Sequence, residues 1–223
     1  MNIGEKGQDI QDLVIYQLKN YWPNFNERII KDVIPMALEK MEENFRGSAI
    51  KRLYNQNGIV FNEYHSVTWM IFLYRISNLL AKNGGVNREA DMVYYLNKIM
   101  HAVDWYHQVE LPIHFLAEHP LGSVLGRAVY GDYLFIYQGT TVGGSRKGDK
   151  LYYPKFGDNV ILYANATVLG NSIIGNNVII SANTYIINDV VPDNCIVFGA
   201  SPNLIIKTKD EEYIKQMSSH IWK

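Results

Sequence analysis

Hydrophobic residues recur at helical spacing through the first hundred positions of the chain. The clearest stripes occupy residues 29–41, 67–80 and 93–103. Asn26 stands just before the first stripe, where a helix N-cap is expected. Apolar residues three and four positions apart lie on one face of a helix, so we expect these stripes to form a helical core. The pattern predicts an α-helical domain over residues 1–103, in which residues 45–63 carry no clear pattern.

From Tyr130 onward the apolar positions change to a period of six. Large apolar residues open each hexapeptide, namely Tyr130, Ile136, Val142, Phe156, Leu162, Val168, Ile174, Ile180 and Ile186. Small or β-branched residues follow four positions later in most repeats, namely Thr140, Val160, Ala166, Ser172, Val178, Thr184 and Val190. Glycine and asparagine lie between them and suit tight corners. A period of six fits neither a helix nor an alternating strand. It predicts a parallel β-helix with three flat faces, each face one hexapeptide long.

One insertion interrupts these repeats. The step from Val142 to Phe156 is two positions longer than two hexapeptides would be. The inserted sequence, GGSRKGDKLYYPK, is glycine-rich and charged, and loops that leave a repeat scaffold often carry binding sites. Gly143 and Gly148 have the spacing of a phosphate loop, but no Lys-Ser/Thr pair and no strand-to-helix unit follow. We call residues 143–155 the excursion and expect no nucleoside triphosphate site there.

Composition and charge exclude several classes of function. The 223 residues contain 21 Lys and Arg against 22 Asp and Glu, a balance that gives no surface for nucleic acid. A single cysteine, Cys195, excludes an internal disulfide and a cysteine-rich zinc site. No apolar run approaches the roughly 18 residues of a membrane span, and the N-terminal segment lacks a signal-peptide core. We expect a soluble cytoplasmic protein without a metal, a nucleic-acid partner or a membrane contact.

Four of the six histidines lie between residues 101 and 119. Their spacings of six, seven and five do not match the paired ligands of a zinc site. His119 stands where the helical pattern gives way to the hexapeptides, and Asp104 precedes it by fifteen residues. A carboxylate bonded to one imidazole nitrogen orients the ring and raises the basicity of the other nitrogen. Asp104 and His119 are therefore candidates for a catalytic pair. The alternative, in which Asp104 caps a turn and His119 packs, stays open.

The order and register of these motifs resemble the serine acetyltransferase family over roughly residues 64–207. The matching segments are His119-Pro120-Leu121-Gly122-Ser123-Val124-Leu125-Gly126, Gln138 with Val142-Gly143-Gly144, Ala164-Asn165-Ala166-Thr167-Val168-Leu169-Gly170-Asn171, and Gly199-Ala200-Ser201-Pro202. That family also carries an aspartate fifteen residues before its catalytic histidine, where Asp104 stands. The resemblance implies an α+β fold with a left-handed parallel β-helix over residues 104–207. A short helix is expected in the tail, residues 208–223.

The same resemblance implies an acetyl-CoA-dependent O-acetyltransferase. His119, oriented by Asp104, would be the general base, and a backbone N–H of the Gly143-Gly144 turn would meet the oxyanion. Acetyl-CoA would lie in a groove between neighbouring subunits of a homotrimer, or of two paired trimers. The residues expected at this cofactor are Gly143, Gly144, Ala164, Ala182 and Lys147.

The acceptor site departs from the family pattern. Where the family has Asp-Arg-His-Pro-Lys, this chain has Leu151-Tyr152-Tyr153-Pro154-Lys155. A guanidinium that could clamp a carboxylate is thus replaced by a neutral phenol. Glu118 keeps an acidic residue before the histidine. With Glu118, Tyr152 and Tyr153 as acceptor residues, we expect a sugar or nucleotide-sugar hydroxyl.

Two other functions remain open on the sequence. The first is authentic serine O-acetylation, with the serine carboxylate held by Arg146 or Lys147. The second is a non-catalytic trimeric assembly module, in which the solenoid only organises partners.

Overall fold

The computed structural model describes residues 3–84 and 88–223. They form two compact units, the first made of the described residues up to Ala102 with Tyr106–Gln108 and the second of Val103–Trp105 with Val109–Lys223. Each unit builds its own core, and the second carries every residue predicted for catalysis.

The first unit is a set of helices joined by one small hairpin. Its elements are α1 (Ile3–Lys19), α2 (Glu27–Arg46), β1 (Tyr54–Asn55), β2 (Gly58–Ile59), α3 (Ser66–Gly84) and α4 (Arg88–His101). The side chain of Asn26 caps α2 by accepting a hydrogen bond from the Arg28 N–H at 3.2 Å, as predicted. Pro35 lies inside α2 and does not end it. The hairpin lies within the stretch without a clear pattern, residues 45–63, and α1 was not predicted.

The second unit is a solenoid whose parallel strands stack into three faces. The first face contains β4 (Phe115–Ala117), β6 (Leu134–Ile136), β11 (Val160–Leu162), β14 (Val178–Ile180) and β17 (Cys195–Ala200). The second contains β3 (Asp104–Trp105), β5 (Val124–Leu125), β7 (Thr141–Gly143), β12 (Thr167–Leu169) and β15 (Tyr185–Ile187). The third contains β10 (Lys155–Phe156), β13 (Ile173–Ile174) and β16 (Val190–Val191).

The interior of the solenoid follows the predicted period of six. Strand partners in successive coils lie three hexapeptides apart in sequence, as in the pairs Leu162–Ile180 and Val168–Ile186. The predicted interior residues from Ile136 to Ile186 are all buried. Val190, which follows Ile186 by four positions, differs from the other small or β-branched positions of the repeat, because it is 65% exposed whereas they are buried.

The cause is a shortened corner near the end of the solenoid. Val191 is buried and pairs with Ile174, and the step between them is one position shorter than three hexapeptides. The coil between these two residues therefore lacks one residue of the regular repeat. The next interior residue lies one position earlier in the sequence than the period of six predicts. Val191 takes the interior place, and Val190 turns outward.

The excursion adds more residues to its coil than the sequence count suggested. Val142 pairs with Val168, and the step between them is eight positions longer than the usual three hexapeptides. The expectation of two hexapeptides between Val142 and Phe156 is wrong, because Phe156 belongs to the next face. The added residues form an antiparallel hairpin of β8 (Ser145–Lys147) and β9 (Lys150–Tyr152).

Asparagine and glycine turn the corners of the solenoid, as predicted. Backbone φ angles near +55° to +60° occur at Asn159, Asn165, Asn177, Asn183, Asn188 and Asn194. In one corner the side chains form a ladder, in which Asn159 donates to Asn177 and Asn177 donates to Asn194, each at 2.9 Å. Asparagine tolerates the left-handed conformation and adds hydrogen bonds between coils.

The chain ends in a strand and a short helix. Strand β18 (Asn203–Thr208) pairs antiparallel with β17, and α5 (Glu211–Ser218) follows. The predicted tail helix is therefore shorter than residues 208–223. Ile214 and Ile221 are buried, whereas Tyr213 and Met217 are exposed.

Candidate active site

His119 lies in the turns between the first and second faces. We call this region the His119 corner, and it consists of residues 118–122, 137–139, 163–165 and 181–183. The His119 side chain is 77% exposed, and its Nε2 lies 3.8 Å from Oε1 of Glu118, whose side chain is 30% exposed. The imidazole is thus open to a ligand and has a carboxylate beside it.

The backbone of His119 adopts an uncommon conformation. Its φ is +50°, in the left-handed region. Among the described solenoid residues with positive φ, His119 and Tyr133 are the two that are neither glycine nor asparagine. This conformation costs about 1–2 kcal/mol outside glycine, and residues held in it concentrate at functional sites. This backbone conformation therefore fixes the direction of the His119 Cα–Cβ bond, along which the imidazole projects from the corner.

Asp104 lies near this corner but does not contact His119 within ion-pair distance. It opens β3 and pairs with Val124, and its N–H donates to the Ser123 carbonyl at 2.8 Å. Among the described residues, the carboxylate within 4 Å of the His119 imidazole is that of Glu118. The pairing of Asp104 with His119 stays a prediction.

Two stacked tyrosines next to Glu118 were missed by the sequence analysis. The rings of Tyr137 and Tyr163 are parallel, with centroids 4.9 Å apart. Burial, with the neighbouring Tyr163 and Glu118, raises the pKa of Tyr137 above its usual value. The signal was present in the sequence, because each tyrosine directly follows an interior residue of the repeat. Together they form a flat aromatic surface in the His119 corner.

The residues predicted to bind the cofactor occupy two different corners. Ala164 and Ala182 lie in successive coils of the His119 corner, where the Asn183 N–H donates to the Ala164 carbonyl at 2.9 Å. Gly143 ends β7, so Gly144 lies at the opposite end of the second face. Lys147 is exposed on the β8–β9 hairpin. These residues do not converge on one point of the chain.

The two predicted acceptor tyrosines lie at the base of the hairpin. Tyr152 ends β9 opposite Ser145 and is half-buried. Tyr153 packs on the backbone of Gly144, where an added Cβ would approach its ring to 2.9 Å. Arg127, which no sequence motif singled out, donates from Nη1 to the Tyr153 hydroxyl at 3.2 Å.

The remaining histidines of the 101–119 stretch have separate partners. His101 contacts Asn97, His107 contacts Asp91, and His114 contacts Asp132, each at 2.7–2.8 Å. Within the described ranges no three His, Cys, Asp or Glu side chains are grouped as metal ligands. The absence of a metal stays a prediction.

Cys195 has the environment of a structural thiol. It is buried, and its Sγ–H donates to the Pro192 carbonyl at 3.2 Å. Burial, followed by the charge of Asp193, raises the pKa of the thiol to about 11. Because the thiolate is the nucleophilic form, Cys195 is unsuited to covalent catalysis.

The described helices offer no membrane span, because none combines sufficient length with sufficient hydropathy.

The solenoid matches a known class of protein by sequence. Residues 153–188 match the bacterial transferase hexapeptide family, a unit of six repeats. This part of the second unit therefore has hexapeptide repeats of the kind found in bacterial transferases.

The similar proteins within this class are serine acetyltransferases. The enzyme of Staphylococcus epidermidis is 30% identical over 127 residues, which are 55% of this chain and 60% of that protein. Over the first three curated serine acetyltransferases matched, the alignment spans between 23% and 60% of the relative's length. The predicted resemblance to the serine acetyltransferase family is confirmed.

Solved structures extend the likeness to the fold of both regions. The serine acetyltransferase of Neisseria gonorrhoeae has a TM-score of 0.71 at 24% identity, covering 91% of this chain and 81% of that one. A Brucella abortus serine acetyltransferase in complex with coenzyme A has a TM-score of 0.68 at 21% identity, covering 89% and 82%. The predicted fold class, a helical region followed by a hexapeptide β-helix, is confirmed.

Proposed function

We propose that this chain is an acetyl-CoA-dependent O-acetyltransferase that transfers the acetyl group directly to a hydroxyl acceptor. One observation carries the proposal. In a solenoid related to the serine acetyltransferases, the histidine that matches their catalytic residue is exposed, held in a left-handed corner and accompanied by a carboxylate. The buried, protonated Cys195 argues against an acyl-enzyme and favours direct transfer.

The reaction needs one group that takes and returns a proton. The His119 imidazole removes the proton of the acceptor hydroxyl as its oxygen attacks the thioester carbon. The carbonyl oxygen becomes an oxyanion, which a backbone N–H of the Gly143-Gly144 turn would stabilise. The C–S bond then breaks, and the CoA thiolate takes the proton from His119. The products are the acetyl ester and CoA.

The cofactor site would use backbone and small side chains. Gly143, Gly144, Ala164 and Ala182 allow the pantetheine arm to approach the chain closely, and Lys147 adds a cation for a phosphate. The coenzyme A complex of the Brucella abortus relative supports this cofactor. Because these residues occupy two corners, we propose that the groove forms between neighbouring copies of a homotrimer, or of paired trimers.

The acceptor would be a hydroxylated ring. The Tyr137–Tyr163 stack beside Glu118 gives the His119 corner an aromatic surface, which favours a sugar or nucleotide-sugar. The second candidate is L-serine, which is favoured by the names of the relatives. We expect either reaction to take place in the cytoplasm.

A thiol-release assay with acetyl-CoA distinguishes these functions. Purified protein is given sugars, nucleotide-sugars or L-serine, and the product is identified by mass. Sugar-dependent release with a mass gain of one acetyl group supports the leading proposal, and serine-dependent release supports the second. If no CoA is released with any of these acceptors, the enzyme assignment is contradicted, and the assembly module is the function that remains.

A further inference from the structure

We propose that Arg127 binds an anionic group of the acceptor, so that the acetylated compound carries a carboxylate or a phosphate besides its hydroxyl. The inference rests on the proposed function, because the place of Tyr153 in the acceptor site comes from its match to the family pattern. Arg127 contacts Tyr153 directly. In the proposed groove between neighbouring copies, this pair would face the His119 corner of the adjacent copy and so belong to the same acceptor site.

Backbone pairing brings Arg127 to the end of the excursion. The Val129 N–H donates to the Pro154 carbonyl at 3.0 Å, and Val129 forms a parallel bridge with Lys155. This pairing aligns the segment after β5 with the last residues of the excursion. Arg127 and Tyr153, which are 26 positions apart in the chain, become neighbours.

The two side chains hold each other in a defined geometry. Arg127 Nη1 donates to the Tyr153 hydroxyl at 3.2 Å, and the guanidinium carbon lies 5.2 Å from the centre of the ring. The Tyr153 ring also packs against Gly144, because any Cβ there would lie 2.9 Å from the ring. The ring is thus supported by a glycine backbone and by a cation, which reduces the freedom that binding would have to remove.

The Arg127 guanidinium has no anionic partner within the described residues. Its side chain contacts the hydroxyl and the ring of Tyr153, and no carboxylate of a described residue lies within 4 Å. A guanidinium has five N–H donors, so most of its donors remain available. Its planar fork matches the two oxygens of a carboxylate or a phosphate.

The charge of the excursion favours the same kind of ligand. Residues 143–155 contain one acidic residue, Asp149, and four cations, namely Arg146, Lys147, Lys150 and Lys155. Arg127 therefore adds to a positive field, which would draw an anion toward the acceptor site.

This arrangement changes the conclusion drawn from the sequence. There, the replacement of the family's Arg-His pair by Tyr152-Tyr153 removed the guanidinium and favoured a sugar or nucleotide-sugar over serine. The structure supplies a guanidinium from another coil, beside the second of those tyrosines. A site that contains Arg127 selects acids, such as a uronic acid, a sugar phosphate or L-serine, over their neutral counterparts.

Matched acceptor pairs test the inference in the thiol-release assay. Each acid is compared with its neutral counterpart: glucuronic acid with glucose, galactose 1-phosphate with galactose, and L-serine with L-serinamide. The carboxylate and phosphate pairs show which anion is bound. The assay is repeated with Arg127→Gln and with Arg28→Gln, a matched control that removes an exposed arginine of α2, outside the excursion.

We expect wild type to prefer at least one acid over its counterpart. We expect Arg127→Gln to raise KM for that acid about 10- to 100-fold while KM for acetyl-CoA stays within twofold. Arg28→Gln should leave the KM for the acid and the KM for acetyl-CoA within twofold of wild type. Equal turnover of the acid and neutral members would overturn the role of Arg127 and leave the transferase proposal intact. An increase confined to the KM for acetyl-CoA would assign Arg127 to the cofactor site and would also overturn its proposed role in acceptor binding. No turnover with any acceptor would overturn both proposals.

Discussion

Within its described residues, the solenoid contains two imidazole–carboxylate pairs that differ in geometry and exposure. His114 Nδ1 lies 2.7 Å from Oδ2 of Asp132, and the backbone N–H of His114 donates to Oδ1 of the same carboxylate at 2.8 Å. This ring is 18% exposed and stacks on Tyr133 at 4.7 Å. His119 and Glu118 are 3.8 Å apart, and the His119 side chain is 77% exposed.

The comparison indicates that the better-formed pair is the less suited to act as a general base. Both oxygens of Asp132 are bonded to one residue, and the His114 ring is covered by an aromatic neighbour, so the pair joins two segments of chain. A general base must instead reach a proton on the substrate, which requires an exposed nitrogen. Hydrogen-bond length alone would have selected His114. Exposure and the left-handed backbone select His119.

Replacing His119 should have the largest effect on activity. His119→Asn removes the imidazole and keeps a residue that tolerates positive φ, so the corner should stay folded. We expect kcat for acetyl transfer to fall about 10²- to 10⁴-fold, with a melting temperature within about 1 °C of wild type. Steady-state kinetics and thermal unfolding measure the two quantities. Activity within threefold of wild type would remove His119 from the mechanism.

Replacing Asp132 should affect stability instead. Asp132→Ala leaves two His114 donors without their acceptor, which we expect to lower the free energy of unfolding by about 2–3 kcal/mol. The melting temperature should fall by roughly 5–10 °C, while kcat per folded molecule stays within twofold. A loss of kcat as large as that of His119→Asn would reverse the roles of the two pairs.

A third imidazole, in the helical unit, shows what burial does without a carboxylate. His101 Nδ1 contacts the Asn97 side chain at 2.8 Å, and burial lowers the pKa of His101 from 6.5 to about 4. Between these values the unfolded chain binds a proton that the folded protein does not. Stability is therefore lost as pH falls from 6.5 toward 4, by about 2 kcal/mol after allowance for partial exposure.

The variant His101→Gln isolates this contribution, because glutamine does not titrate. We expect the stability difference between wild type and His101→Gln to change across pH 6.5 to 4 and to stay constant above pH 7. Chemical denaturation at a series of pH values measures it. A constant difference over the whole range would show that His101 does not carry the effect.

The interior of the solenoid could be predicted from sequence because the stacking itself imposes the period. Each coil repeats the same environment, so residues such as Leu162 and Ile180 occupy equivalent buried positions. His119 could be located because its motif marks the start of the repeats. Helix α1 was not predicted, although its residues Ile10, Val14 and Leu18 are four positions apart in the sequence and are buried in the structure.

The contacts around the excursion could not be predicted, because they depend on the length of an insertion. Counting two hexapeptides across it placed Phe156 on the wrong face, which hid the bridge between Val129 and Lys155. Without that bridge, nothing in the sequence connects Arg127 with Tyr153. Likewise, the choice between Glu118 and Asp104 as the partner of His119 depends on side-chain directions that a spacing of fifteen residues does not fix.

The smallest effect is expected from Glu118. Its oxygen lies 3.8 Å from His119, but the imidazole is exposed to water, which screens the interaction. We therefore expect Glu118→Gln to lower kcat less than tenfold, and to leave the melting temperature unchanged because the side chain is partly exposed. The measurement is kcat for Glu118→Gln and for Asp104→Asn under the same conditions. If the Asp104 variant loses far more activity than the Glu118 variant, Asp104 is the residue that orients His119 during turnover. The reverse order would give that role to the carboxylate that the structure places beside the ring.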